Sequence, residues 1–179
     1  MPLIAITAIG RDHPGIVAGF SSALYRAGCN LQDCTMTRLG GEFAMIILAQ
    51  TPEDQDLAAL EESIAATSRV LGLTTLLRSV SPEEIEPVST AGQSYIVRVY
   101  GADRPGIMSE VTSLLARHRW NITDLSSQLL SGAAGPVYVM MLEVDAAGNG
   151  VAALEAELAQ LARRLQVEIG FEPLQAEAL

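Results

Sequence analysis

The sequence predicts an α+β protein of two successive domains, each ordered βαββαβ, with an antiparallel sheet and its helices on one face. Three observations carry that prediction. First, Gly10-Arg11-Asp12-His13-Pro14-Gly15-Ile16 returns nearly letter for letter as Gly101-Ala102-Asp103-Arg104-Pro105-Gly106-Ile107, and the offset of 91 (Gly10 to Gly101) holds without a gap as far as Asp33 and Asp124. Second, the chain has 179 residues, so a repeat at that spacing divides it into two units of about 80 residues, each able to build a core. Third, both copies of the motif lie where an apolar strand-like run gives way to a helical pattern, and the same succession of elements follows each. That succession is the split βαβ arrangement of ferredoxin-like domains.

In the first half, residues 3–9 form the opening strand and residues 14–27 the first helix. Ile16, Phe20, Ala23, Leu24 and Ala27 recur at helical spacing and mark its core face. Pro14 suits the first turn of a helix, where its missing N–H has no intrahelical acceptor. Gly28 is placed to end the helix in a left-handed conformation. Strands at 30–39 and 42–50 flank Gly40-Gly41, a strong hairpin signal. The run from Phe43 to Ala49 does not alternate, which predicts a strand covered on both faces. Helices on one face of a small domain leave the other side wet, so the pattern calls for a partner against the sheet. Pro52 introduces a second helix with the stripe Leu57, Leu60, Ile64 and Leu71, and with Glu53, Asp54 and Asp56 favourably near its N-terminus. Gly72 ends it, and residues 73–80 supply the fourth strand.

Residues 81–92, rich in Pro, Glu, Ser and Gly, read as a linker between domains at 1–80 and 93–174, with a frayed tail at 175–179. The second half repeats the order, with strands at 94–100, 121–130, 137–145 and 166–171 and helices at 105–119 and 151–165. Ile107, Val111, Leu114 and Leu115 repeat the apolar face of the first helix. Aligning Phe43 with Val137 makes the hairpin loop 131–136 three residues longer than its counterpart (94 against 91).

Composition excludes several functions. Net charge is −10, and all 11 basic residues are arginine. Dispersed arginines on an acidic chain provide no positive stripe for a phosphate backbone, so direct nucleic-acid binding is not expected. The absence of lysine removes Schiff-base chemistry and the P-loop lysine. No basic leader precedes an apolar core and no run approaches a membrane span, so a cytoplasmic location and no membrane contact are expected. Cys29 and Cys34 lie five apart in a strand-like segment, on opposite faces, which argues against a disulfide. His13 and His118 have no companions at ligand spacing, so neither a metal nor a cofactor is expected. Cys29 reads as a buried small residue rather than a nucleophile, and no enzyme activity is expected. Trp120, which aligns with Cys29, reads as a packing residue.

The motif itself is a strand-to-helix turn. Gly15 and Gly106 leave the backbone uncovered where the unpaired N–H groups of a helix N-terminus point outward, an arrangement suited to a small anion such as a carboxylate. Asp-x-Pro-Gly-Ile at this turn, an Asn eighteen positions after the Asp (Asp12 to Asn30, Asp103 to Asn121) and the βαββαβ order together resemble tandem ACT-domain proteins over nearly the whole chain. Gly28-Cys29-Asn30-Leu31-Gln32-Asp33 and Leu39-Gly40-Gly41-Glu42-Phe43 resemble, within them, the glycine cleavage system transcriptional repressor family.

That resemblance implies side-by-side pairing of sheets in a homodimer, with a small amino acid, glycine favoured, bound at the interface beside the turn. It also implies regulation of transcription through a partner activator protein. The ligand set it implies is Asp12, Pro14, Gly15, Ile16 and Asn30 in the first copy, and Asp103, Pro105, Gly106, Ile107 and Asn121 in the second. The backbone amides and the asparagine would donate to the carboxylate, and the aspartate would accept from the ammonium. Second copies in such repressors are often eroded, whereas this one retains the complete motif. Two readings compete at the level of residues: Asp12 and Asp103 as helix caps, and the asparagines as turn residues. At the level of function, the alternatives are a regulatory subunit or module of an amino-acid or one-carbon enzyme, and a structural dimerisation module.

Overall fold

The computed structural model describes residues 2–81, 84, 93–132, 135–146 and 150–174. Two compact units, Met1–Glu86 and Pro87–Leu179, divide the chain. The first contains β1 (Leu3–Arg11), α1 (Ile16–Arg26), β2 (Asn30–Leu39), β3 (Glu42–Gln50), α2 (Leu57–Val70) and β4 (Leu73–Val80). The second contains β5 (Ser94–Ala102), α3 (Ile107–Arg117), β6 (Asn121–Gly132), β7 (Gly135–Asp145), α4 (Val151–Leu165) and β8 (Val167–Pro173). Most of the expected linker at 81–92, and the expected tail, lie outside the described residues.

Each unit has one four-stranded antiparallel sheet, ordered β2-β3-β1-β4 and β6-β7-β5-β8. β1 is central because Ile4, Ile6 and Ala8 are fully buried under α1 and α2, which contribute Phe20, Leu24, Leu60 and Ile64 to the same core. β5 repeats this with Val97 and Val99 under Val111, Leu115 and Leu158. Trp120 is buried and packs 5.2 Å from the Tyr95 ring and 5.6 Å from Phe171. Cys29, at the corresponding corner, is also buried and belongs to the core cluster of its unit.

Three local boundaries need correction. Both first helices begin at isoleucine, two residues after the proline, because Gly15 and Gly106 adopt φ of 98° and 95°. A left-handed residue cannot continue a right-handed helix, so Pro14 and Pro105 stand in the turn ahead of it. The far ends are also earlier than expected, at Arg26 and Arg117, with Gly28 and Arg119 left-handed beyond them. The fourth strand of the second unit begins at Val167, since Gln166 is left-handed (φ 54°) and closes α4.

The second hairpin differs from its predicted register. Gly10 faces Phe43 on β3, whereas Gly101 faces Tyr138 on β7, so Phe43 corresponds to Tyr138 and not to Val137. The extra residues lengthen the strands, pairing Ser131 with Pro136 and Gly132 with Gly135, instead of enlarging the loop.

β3 was expected to be covered on both faces. Within one chain Phe43, Met45, Ile47 and Ala49 face the helices, while Ile46, 48% exposed, lies on the other face, the one for which the sequence calls for a partner. The sequence shows no alternation because Ala44, Ile46 and Leu48 are apolar although they face away from the helices. Within the unit that outer face is uncovered.

Candidate functional site

The strand-to-helix turn follows directly from the glycine. A Cβ at Gly15 or Gly106 would meet nothing within 4 Å, so these residues are required by their positive φ and not by crowding. The space above them is open. Neither α1 nor α3 has a side-chain cap, and their first amides have no intrahelical acceptor. The cap reading of Asp12 and Asp103 is therefore excluded by the geometry. At both turns a row of N–H groups carries the positive end of the helix dipole toward solvent.

Asp12 is held from two sides. Its N–H donates to the Gly41 carbonyl at 2.9 Å, and its Oδ2 accepts from Arg38 Nη1 at 3.0 Å. The Arg38 side chain is 67% exposed, so the pair contributes at most about 1 kcal/mol to stability. What it changes is the charge at the turn. Asp103 is exposed and makes no hydrogen bond or ion pair among the described residues.

His13, exposed in the turn, joins it to the end of α2. Its Nε2 lies 2.8 Å from the Leu71 carbonyl and its Nδ1 3.0 Å from the Pro14 carbonyl. Both partners are acceptors, so both contacts become hydrogen bonds only when the ring is an imidazolium donating from each nitrogen. The Leu71 carbonyl, then the Pro14 carbonyl, and more weakly Asp12 raise its pKa above 6.5 against a small desolvation effect. The corresponding Arg104, a permanent cation, donates to Gln166 Oε1 at the end of α4. A raised folded-state pKa stabilises the fold fully below about pH 6.5, and the contribution is lost as pH rises through the folded value. Melting temperatures from pH 5 to 9 should thus fall for the wild type relative to His13→Arg, and parallel curves would refute the linkage.

The asparagines do not join their aspartates. Asn30 pairs with Gln50, which pairs with Leu3, whereas Asp12 follows Arg11 at the opposite end of β1. Nine strand residues at about 3.3 Å each put them roughly 30 Å apart. Asn121 is equally remote, pairing with Asp145 beside Ser94. The expected convergence of acid and carboxamide inside one domain is incorrect, because the helix between them carries the chain from the end of one strand to the far end of the sheet, where the next strand begins at the asparagine. Pro14, Gly15 and Ile16, and Pro105, Gly106 and Ile107, do form the turns themselves.

Sequence reasoning missed Arg38 and the role of His13. The Gly40-Gly41 hairpin beside Arg38 was the available signal, since a tight turn there returns β3 alongside β1. Elsewhere the chemistry is sparse. Desolvation raises the pKa of the buried Cys29, and desolvation followed by Asp33 raises that of Cys34, so both favour the thiol. Among the described residues no group of three His, Cys, Asp or Glu could hold a metal, and no helix is long and apolar enough to cross a membrane.

Comparison with known proteins matches the sequence pattern of the ACT domain to residues 3–78 and again to 93–172. The chain belongs to the ACT-domain family. The glycine cleavage system transcriptional repressor of Escherichia coli is 29% identical over 125 residues, covering 70% of this chain and 64% of that protein. The chain thus matches just under two thirds of that relative's length. A single ACT-length relative, a UPF0237 protein of Streptococcus mutans, is 35% identical over 74 residues, 41% of this chain and 84% of its own. A solved structure of an unknown protein from Galdieria sulphuraria superposes with a TM-score of 0.83 at 26% identity, over 97% of this chain and 99% of that one.

Proposed function

We propose that this tandem ACT-domain protein is a non-enzymatic regulator that binds a small amino acid, glycine favoured, at its strand-to-helix turns. One observation carries the reading: an uncapped helix N-terminus, opened by a left-handed glycine and adjoined by an aspartate, is built twice at corresponding places. The amides of Gly15 and Ile16, or Gly106 and Ile107, suit a carboxylate. Kinship with the Escherichia coli repressor supports transcription as the output, and the acidic surface favours action through a partner activator protein over direct DNA contact.

The asparagines enter through a second copy. Every residue of β2 is exposed and the strand is an edge of its sheet. Antiparallel pairing of β2 with its counterpart in another copy reverses its direction, carrying the partner's Asn30 end toward Arg38 and Asp12. Such pairing also satisfies the free edge.

Calorimetric titration of the full chain with each of the twenty amino acids tests the proposal. Glycine has few heavy atoms, and at about −1.5 kcal/mol each its Kd cannot be tighter than a few micromolar. Binding in the range of tens of micromolar to millimolar is the expected result. Absence of binding by all twenty would overturn the reading and leave a structural module.

A further inference from the structure

We propose that the two turns are not equivalent: the second holds the amine of an amino acid through Asp103, whereas Arg38 closes the first to amines and makes it a site for a simple carboxylate. This rests on the reading that a strand-to-helix turn of this chain binds an amino acid, and narrows it to the second turn. At the first turn Asp12 already accepts from Arg38 at 3.0 Å, and the hairpin that carries Arg38 also accepts the Asp12 N–H through Gly41. An incoming ammonium would have to compete with that guanidinium for the Asp12 carboxylate. At the second turn the position opposite Tyr138, corresponding to Arg38 opposite Phe43, is Leu129. Leu129 has no side-chain donor, and Asp103 is exposed without a partner among the described residues.

The surrounding charges point the same way. Arg11 and His13 flank Asp12, and with Arg38 they make the first turn cationic whenever His13 is protonated. The second turn has Ala102 in place of Arg11, and its Arg104 is directed to Gln166. An anion gains from the first environment, and a zwitterion from the second.

Titrating the folded full chain with glycine and with acetate, its analogue lacking the amine, tests the proposal. The wild type should bind one glycine per chain. Asp103→Asn should weaken glycine at least tenfold and leave acetate within about twofold, while Asp12→Asn should change glycine less than twofold. Arg38→Leu should raise the stoichiometry to two glycines, and Leu129→Arg should weaken glycine as Asp103→Asn does. Arg38, Asp103 and Leu129 are exposed and Asp12 is half-buried, and circular dichroism would verify that each variant is folded. Equal losses from the two aspartate changes, or unchanged stoichiometry in Arg38→Leu, would overturn the inequivalence and spare the sensor reading. A wild type that binds neither glycine nor any other amino acid would overturn both.

Discussion

Replacing Phe20 with alanine is expected to destabilise the first unit by about 3–5 kcal/mol, the cost of removing a large buried aromatic side chain and leaving a cavity. Phe20 is 0% exposed and packs in one cluster with Ile4, Ile6, Phe43 and Leu60, so it joins α1 to the middle of the sheet. A domain of this size has a total stability of roughly 4–12 kcal/mol, and a loss of that magnitude leaves little in reserve. The functional consequence follows from position, since the open amides of the first turn belong to the helix that Phe20 anchors. Urea unfolding of the full chain, followed by far-UV circular dichroism, would measure the effect. Phe20→Leu keeps most of the volume and should lose less than half as much. A change below about 1 kcal/mol for the alanine variant would show that the core around α1 collapses to fill the space.

Gly101→Ala is expected to destabilise the second unit by about 1–3 kcal/mol, the usual penalty for forcing extra volume into a packed site. A Cβ there would lie 2.7 Å from Val167 Cγ1, 3.0 Å from Val167 Cβ and 3.1 Å from Val167 Cα. The last two atoms belong to β8 itself and cannot rotate away, so the strands must separate. At Gly10 the nearest atom is the flexible Leu73 Cδ2 at 2.7 Å, with the Gly72 carbonyl at 3.0 Å, and Gly10→Ala should be the milder change. Because Gly101 stands two residues before Asp103, separation of β5 from β8 would also displace the second turn. Denaturation of Gly101→Ala alone and with Val167→Ala decides the cause. Val167→Ala removes the closest atom, Cγ1, so the double variant should show a favourable coupling of at least about 0.5 kcal/mol, and simple additivity would refute the share assigned to Cγ1 and leave the Cβ and Cα of β8, which alanine retains.

The misread features share a physical origin. Pro14 is compatible with the first turn of a helix, but Gly15 just after it is left-handed, and nothing in a Pro-Gly pair specifies on which side of the glycine the helix starts. Asp12, Pro14 and Asn30 recur at constant spacing, yet constant spacing along a chain does not place residues together. α1 runs the length of the sheet before β2 begins, which sends Asn30 to the far end.

Sequence alone determined the duplication, the βαββαβ order, the hairpin at Gly40-Gly41, the burial of Cys29 and Trp120, and the glycine-opened turn at the head of each first helix. These are local matters of hydrophobic period, backbone freedom and repetition, which neighbouring residues settle among themselves. Only the tertiary structure decided that Arg38 faces Asp12, that His13 reaches the end of α2, and that each asparagine lies a sheet's length from its aspartate. Those contacts depend on strand order and register, and antiparallel pairing joins residues 26 or 58 positions apart in the chain that no local pattern connects.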